Sequence, residues 1–183
     1  MIISISGALG SGKSTIGKKL AEALNWPNYY MGGLRRLAAK KRGLTLAEYN
    51  KLGETDPETD MEVDRYQTEL GQKEDNFVIE GRTSWHFIPN SLKIYLDVNP
   101  EIGAKRIFND LKTNSNRNED RQLNSWEDTL KSNEERLKSD RLRYQKYFGI
   151  DVYDQSHYDF CLDTSNLSIN EVFEEILKFV KSR

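Results

Sequence analysis

The stretch Gly7-Ala8-Leu9-Gly10-Ser11-Gly12-Lys13-Ser14 constrains this chain more than any other. It fits the spacing G-x-x-x-x-G-K-[ST], which works only between a strand and a helix. The strand delivers the chain, glycines let backbone N–H groups turn inward, and the helix N-terminus adds its dipole, so the turn holds an anion. The flanks comply. Ile2-Ile3-Ser4-Ile5-Ser6 reads as a buried strand, and Ile16, Leu20 and Leu24 follow at helical spacing. The pattern assigns Gly7 through Thr15 to the phosphates of a nucleotide, with Lys13 reaching the β- and γ-oxygens and the Ser14 hydroxyl placed for Mg²⁺.

The 183 residues suffice for one domain whose core needs no staple. A net charge of −2 gives no case for nucleic acid or an anionic membrane as partner. Cys161 is alone, so no internal disulfide forms, which suits a reducing cytoplasm, and its strand position reads as packed core. His86, His157 and one cysteine are too few for a usual zinc site. The N-terminal apolar run lacks a basic leader and is too short for export or spanning. A cytoplasmic monomer acting on small molecules is the expectation.

Strands and helices alternate along the chain. The first helix runs from Lys13 to about Leu24 and stops before Trp26-Pro27, because proline restricts its predecessor. Asn28 to Tyr30 is a short strand candidate. Leu34 to Lys41 reads as helix, Thr45-x-x-Glu48 is a capping box opening another, and Asp56-Pro57 starts a third that runs toward Leu70 and Gly71. Phe77-Val78-Ile79 and the run Leu92 to Val98 are buried-strand candidates. Asn99-Pro100-Glu101 opens a helix carrying Ile102, Arg106 and Ile107. Two more helices follow, one capped by Ser125 and one from about Asn133 to Phe148. Asp159 to Leu162 is a last strand, and Ser168-x-x-Glu171 caps a closing helix with Val172, Phe173, Ile176, Leu177 and Val180 on one apolar face. This order predicts an α/β fold with a parallel five-stranded sheet covered on both sides.

Two helical inserts break the alternation, at residues 32–71 and 105–146. The second carries 11 Lys and Arg against 8 Asp and Glu, a net of +3, while the remainder holds 16 against 21. A solvated surface accounts for such charge by itself; beside a phosphate loop, the two inserts stand where an acceptor-binding element and a closing lid belong.

Several further stretches carry a resemblance: Glu80-Gly81-Arg82, Arg143-Tyr144-x-x-Tyr147-x-Gly149-Ile150-Asp151, Asp56-Pro57-Glu58-x-Asp60-x-x-x-Asp64-x-x-Gln67, and Arg42-Gly43-Leu44-Thr45-Leu46. With the loop, they make the chain similar over nearly its full length to the nucleoside monophosphate kinases, and most of all to archaeal-type cytidylate kinases. The resemblance implies a three-layer P-loop NTPase fold in a single domain, 1–183, with the acceptor insert at 32–71 and the lid at 105–146. It implies transfer of the γ-phosphoryl group of ATP, with Mg²⁺, to CMP or dCMP.

Phosphoryl transfer needs mainly positioned reactants and cations. Arg36 and Arg82 are the candidates to clamp the acceptor phosphate, since a guanidinium fork matches phosphate oxygens; for Arg36 a plain surface charge beside Arg35 is the alternative. Glu80 either orients Mg²⁺ through water or holds a neighbouring arginine. Arg106, Arg136 and Arg143 are the lid candidates. Arg136, Asp140 and Arg143 share one helix face, either as a surface ion pair or as cations that swing over the transferring group. Asp60, Asp64 and Gln67 also share a face, and either read the acceptor base or solvate their helix.

Three places depart from the family's pattern. Tyr30-Met31-Gly32-Gly33 stands where a small Ser-x-Gly followed by an acid is usual. Asp110 lies near the usual place of a second lid arginine, and residues 113–124 lengthen the lid. Adenylate kinases carry Asp-Gly-Phe-Pro-Arg after the second core strand, whereas here Arg82 directly follows Gly81. A GTPase reading lacks its base motif, for only Asn50-Lys51-Leu52-Gly53 approaches it. Kinases for AMP, UMP or shikimate, and a nucleotide sensor without turnover, are the rival expectations.

Overall fold

The computed structural model describes residues 1–113 and 123–183. In chain order the elements are β1 (Ile2–Gly7), α1 (Lys13–Leu24), β2 (Asn28–Tyr30), α2 (Met31–Lys41), α3 (Leu46–Gly53), α4 (Glu58–Lys73), β3 (Phe77–Glu80) and α5 (Ser84–Phe87). Then come β4 (Leu92–Asp97), α6 (Pro100–Thr113), α7 (Trp126–Phe148), β5 (Phe160–Asp163) and α8 (Ile169–Lys181), with a 3₁₀ turn at Gln155–His157. The expected Asn28–Tyr30 strand is present, and α1 has the expected ends. The stretch expected as two helices is one, α7, of 23 residues; Ser125 caps it in a capping box with Asp128, and Gly149 ends it in the left-handed region. Most of the long polar segment singled out in the sequence, residues 114–122, lies outside the described residues.

All five strands are parallel, in the order β2-β3-β1-β4-β5. The strand order therefore reverses about β1, and the turn leaving β1 opens at the carboxyl edge where ligands bind open α/β sheets. Side chains alternate between the faces. Ile3, Ile5, Val78, Ile94 and Leu96 pack on α1 and α8 through Ile16, Leu20, Val172 and Ile176. Ile2, Phe77 and Ile79 pack on the other face against Met31, Leu70 and Ile88. The three layers follow from that alternation. Neither cluster includes a residue of α3 or α7.

Cys161 is exposed on β5, not packed, because this strand pairs on one side only and turns alternate residues to solvent. No described helix is long and apolar enough to cross a membrane.

The loop after β1 is held from behind by α6. A Cβ on Gly103 would fall 2.3 Å from the Leu9 carbonyl oxygen, and one on Gly10, whose φ is +79°, would fall 2.2 Å from the Gly103 carbonyl oxygen. Backbone meets backbone there, so neither side can yield cheaply. Glycine to alanine inside a helix ordinarily stabilises by about 1 kcal/mol. Gly103→Ala is expected to do the reverse, lowering the unfolding free energy by ~1–3 kcal/mol through overpacking, as read from the urea midpoint, and to weaken ATP binding in the same samples.

Candidate active site

A cleft of about 880 Å³ opens along the carboxyl edge of the sheet. Its floor is the loop from Leu9 to Thr15. Gly12 caps α1 in the left-handed region and no side chain caps the helix, so the first-turn N–H groups face the cleft without a competing protein oxygen from a cap. The Lys13 ammonium donates to the carbonyls of Gly7, at 3.0 Å, and Ala8, and to Ser11 Oγ at 3.3 Å. Ser14 and Thr15 are exposed at the mouth. Gly7 is buried and Ala8 half-buried, and their carbonyls accept from Lys13.

Glu80 ends β3 beside the loop. It is buried, and burial raises its carboxyl above the usual range against the pull of hydrogen bonds from Ser14 and Asn28. The Asn28 amide donates to Oε1 at 3.4 Å. The approach depends on Gly17 in α1, where a Cβ would come 2.8 Å from Glu80 Cγ. Ser14 and Glu80 are hard oxygen donors side by side, a set that suits Mg²⁺ when phosphate oxygens complete its octahedron. Among the described residues no cluster of three or more His, Cys, Asp and Glu would hold a metal by itself.

The opposite wall comes from α2 and α4. On α2, Met31, Arg35 and Ala39 are the buried stripe, at i, i+4 and i+8. Arg35 therefore points inward and Arg36 sits beside it, half-buried, donating to Gly32 O at 3.1 Å and to the Tyr30 hydroxyl. Arg35 donates to Asn50 Oδ1 at 2.8 Å, Thr59 O at 2.9 Å and Asp60 Oδ1 at 2.7 Å. A cation on an apolar stripe is the signal that marks Arg35 in the sequence, next to the candidate clamp Arg36.

The third wall is α7. Arg143 is wholly buried and bonds both oxygens of Asp60 and Oδ1 of Asp140. Arg82 Nε lies 2.7 Å from Asp140 Oδ2 and donates to the Tyr153 hydroxyl at 3.0 Å; that hydroxyl donates to the same Asp140 oxygen at 2.8 Å. Burial alone would raise the Asp140 carboxyl, but Arg82, Arg143 and Arg136 together hold it down at about 2. The chain Arg35–Asp60–Arg143–Asp140–Arg82 thus joins α2, α4, α7 and the end of β3.

Two expectations change here. Arg143 is no mobile lid cation, because both its neighbouring carboxylates fix it in the interior; nor is its pair with Asp140 a surface one. Gln67 lies behind the cleft wall, with its amide spent on Asp64 Oδ1, Thr83 and Ser84. Arg36, Arg82, Asp60, Asp64, Glu80, Arg106 and Arg136 do line the cleft. Asp60 is committed to Arg35 and Arg143, whereas Asp64 Oδ2 has no hydrogen-bond partner among the described residues. Arg106 donates to Thr164 Oγ1 at 3.1 Å and Thr164 O at 2.8 Å, and Thr164 Oγ1 in turn donates to Ser11 O at 3.2 Å. The same hydroxyl lies 2.9 Å from Asp97 O, so Thr164 shares its one proton between the loop and the end of β4, and Arg106 holds Thr164 there while facing the cleft. Asp110 lines the same end.

Sheet order, loop and cleft define a P-loop kinase. The shikimate kinase of Bacteroides thetaiotaomicron shares the fold, with a TM-score of 0.64 over 99% of this chain and 98% of that one at 15% identity. The chain belongs to the cytidylate kinase-like family, whose sequence profile matches residues 2–166. It is 36% identical over 165 residues to the cytidylate kinase of Methanococcoides burtonii, covering 90% of this chain and 88% of that protein. Against the cytidylate kinase of Pyrococcus furiosus it is 39% identical over 174 residues, covering 94% and 84%.

Removing Arg143 takes one arginine partner from each of two buried carboxylates, leaving Arg35 on Asp60 and Arg82 on Asp140, so Arg143→Ala is expected to cost up to ~3–5 kcal/mol of unfolding free energy by urea denaturation. Asp64 gives a pH signature of opposite origin. Burial first, and the Asp60 charge after it, raise its carboxyl from 3.8 to about 7 against hydrogen bonds from Thr83 and Gln67. The folded protein then holds a proton that the unfolded chain releases, so this group's contribution is complete below pH 3.8 and is lost as pH rises through 7. The loss amounts to at most ~4 kcal/mol at about 1.4 kcal/mol per unit. Asp64→Asn should flatten that slope between pH 4 and 7, and denaturation at stepped pH measures it.

Proposed function

We propose that this protein is a cytidylate kinase, moving the γ-phosphoryl group of ATP to CMP or dCMP and releasing ADP and the diphosphate. The observation that carries the reading is one cleft with a glycine-rich loop on one side and Arg35, Arg36 and Arg82 on the other. Two phosphorylated ligands entering from those two sides would meet end to end, as in-line transfer requires. Membership of the cytidylate kinase-like family supports the same chemistry and favours the pyrimidine acceptor.

In this reading ATP lies on Gly7 to Thr15. Backbone N–H groups and Lys13 hold its phosphates, and Lys13 exchanges the loop carbonyls it now bonds for phosphate oxygens. Ser14 would ligate Mg²⁺ and Glu80 would orient it through water, and the ion would supply charge neutralisation of the phosphates. Arg36 and Arg82 hold the acceptor phosphate, Arg82 fixed in place by Asp140 and Tyr153. The acceptor's attacking oxygen is already anionic, so the chain needs no general base. Arg136, half-buried on the cleft wall, is the lid cation that meets the transferring group, with Arg106 at the loop end. Arg143 acts from behind by holding Asp60 and Asp140.

Asp64 is the base-reading residue, its unpartnered Oδ2 accepting from the cytosine amino group when the carboxyl is ionised, and Asp60 and Gln67 set its position. The two inserts, 32–71 and 105–146, are the acceptor-binding and lid parts of one domain. The protein works in the cytoplasm as a monomer, on small-molecule nucleotides without nucleic acid or membrane partners.

Coupled ADP release with ATP·Mg²⁺ and CMP, dCMP, UMP, AMP, GMP or shikimate tests the reading. Stimulation by CMP or dCMP at least tenfold above the others is expected. A preference for AMP or shikimate would reassign the acceptor, and ATP binding with no stimulated turnover would make the protein a sensor.

A further inference from the structure

The segment Tyr30-Met31-Gly32-Gly33 joins β2 to α2 and faces the cleft. Tyr30 pairs in register with Glu80 at the carboxyl edge of the sheet, so its backbone position is set by the sheet. Its ring then folds across the first turn of α2. A Cβ on Gly32 would lie 2.7 Å from ring carbon Cε2, and one on Gly33 would lie 2.9 Å from Cδ1. Both are closer than two carbons can sit, so the two glycines form the seat of the ring. Glycine pairs are costly at a helix start that needs only αR backbone, and φ is not positive at either residue. The space they leave is what the structure uses.

From that seat the Tyr30 hydroxyl accepts a hydrogen bond from Arg36 Nη1, the same nitrogen that donates to Gly32 O at 3.1 Å. The guanidinium carbon stands 5.7 Å from the ring centroid, within cation–π range. Ring, glycines and arginine therefore form one unit at the mouth of the acceptor side. Tyr30 remains 38% exposed and lines the cleft with Arg36. An arginine on a helix surface has many rotamers, and fixing one beforehand saves the ordering cost when an anion arrives.

We infer that Tyr30, seated on Gly32 and Gly33, is a positioning residue that holds the Arg36 guanidinium toward the acceptor's phosphate and thereby sets acceptor affinity. The inference rests on the kinase reading for the identity of that phosphate, and on the geometry alone for the coupling of Tyr30 to Arg36. It gives the departure of this segment from the family's usual small residue a physical use: the tyrosine brings its own hydrogen-bond acceptor, and the second glycine makes room for it.

The test is a cycle of wild type, Tyr30→Phe, Arg36→Ala and the double variant, with Gly33→Ala as a second way of unseating the ring. Tyr30→Phe removes one oxygen from an exposed side chain and leaves the fold intact. KM for CMP should rise about tenfold in Tyr30→Phe and in Gly33→Ala, while KM for ATP and kcat change less than twofold. The double variant should match Arg36→Ala, since Tyr30 acts through Arg36. Multiplicative losses in the double variant, or a silent Tyr30→Phe, would overturn the inference, as would equal changes in both KM values. The ¹⁵N-resolved guanidinium signals of Arg36 give a readout independent of turnover: slow rotation in wild type and fast rotation in Tyr30→Phe are expected. Should the wild type phosphorylate none of the monophosphates, the kinase reading fails, and the Arg36 signals alone decide the coupling, an unchanged rotation refuting it.

Discussion

The acceptor side of this protein hangs on a run of alternating buried charges, Arg35, Asp60, Arg143, Asp140 and Arg82. The apolar clusters stop at the sheet faces, and α3 and α7 contribute to neither. Met31 of α2 and Leu70 of α4 share an apolar cluster, but what ties α7 to them beside the cleft is the ionic and hydrogen-bonded run of buried charges. Such a ladder is strong only when complete, because each link removed leaves an uncompensated charge in low dielectric. It is also unbalanced, with three arginines to two aspartates, and Arg136 adds its field at Asp140. The surplus positive charge lines a space where phosphates would gather, so a bound anion neutralises what the fold leaves over.

The loop side is built on different terms. There the positioning is steric, achieved by absent side chains at points of backbone contact. Gly10 and Gly103 let α6 press on the loop, and Gly17 lets Glu80 reach Ser14. Gly32 and Gly33 do the same for Tyr30 on the far side. Burial then tunes the acids that these contacts place. Glu80 and Asp64 are raised by desolvation, while Asp140, equally buried, is held at about 2 by the three arginines around it. Buried carboxyls such as Asp64 and Asp140 are thus shifted in opposite directions because their neighbours differ, not their depth.

Much of the fold was legible in the residues. The five strands, their parallel sense, the ends of α1 and the caps at Thr45, Ser125 and Ser168 all follow from the pattern along the chain. The break placed inside α7 was not real, for its inward stripe of Ser139, Asp140, Arg143 and Tyr144 is polar and gives no apolar period to follow. Cys161 misled because β5 is an edge strand, which a single chain of residues does not reveal. In the site, the loop, Glu80 and Arg82 were legible from the strand ends that carry them. Arg35 and Tyr153 are not legible in the sequence, because their roles depend on partners 13–71 residues away; Tyr30 is legible only as a departure from the family's pattern, and the seat it uses is shown only by the folded turn.

The sequence by itself determined that a strand, a glycine-rich turn and a helix hold phosphate here, because that function needs only neighbours in the chain. It determined, too, that cations are gathered in the second insert. Tertiary structure decided which of those cations face the cleft and which lock the walls. Arg136 lines the space, while Arg143, seven residues on, is sealed between Asp60 and Asp140. Helical spacing puts the two on one face, but only the packing of α4 against that face supplies the carboxylate that takes one arginine out of play.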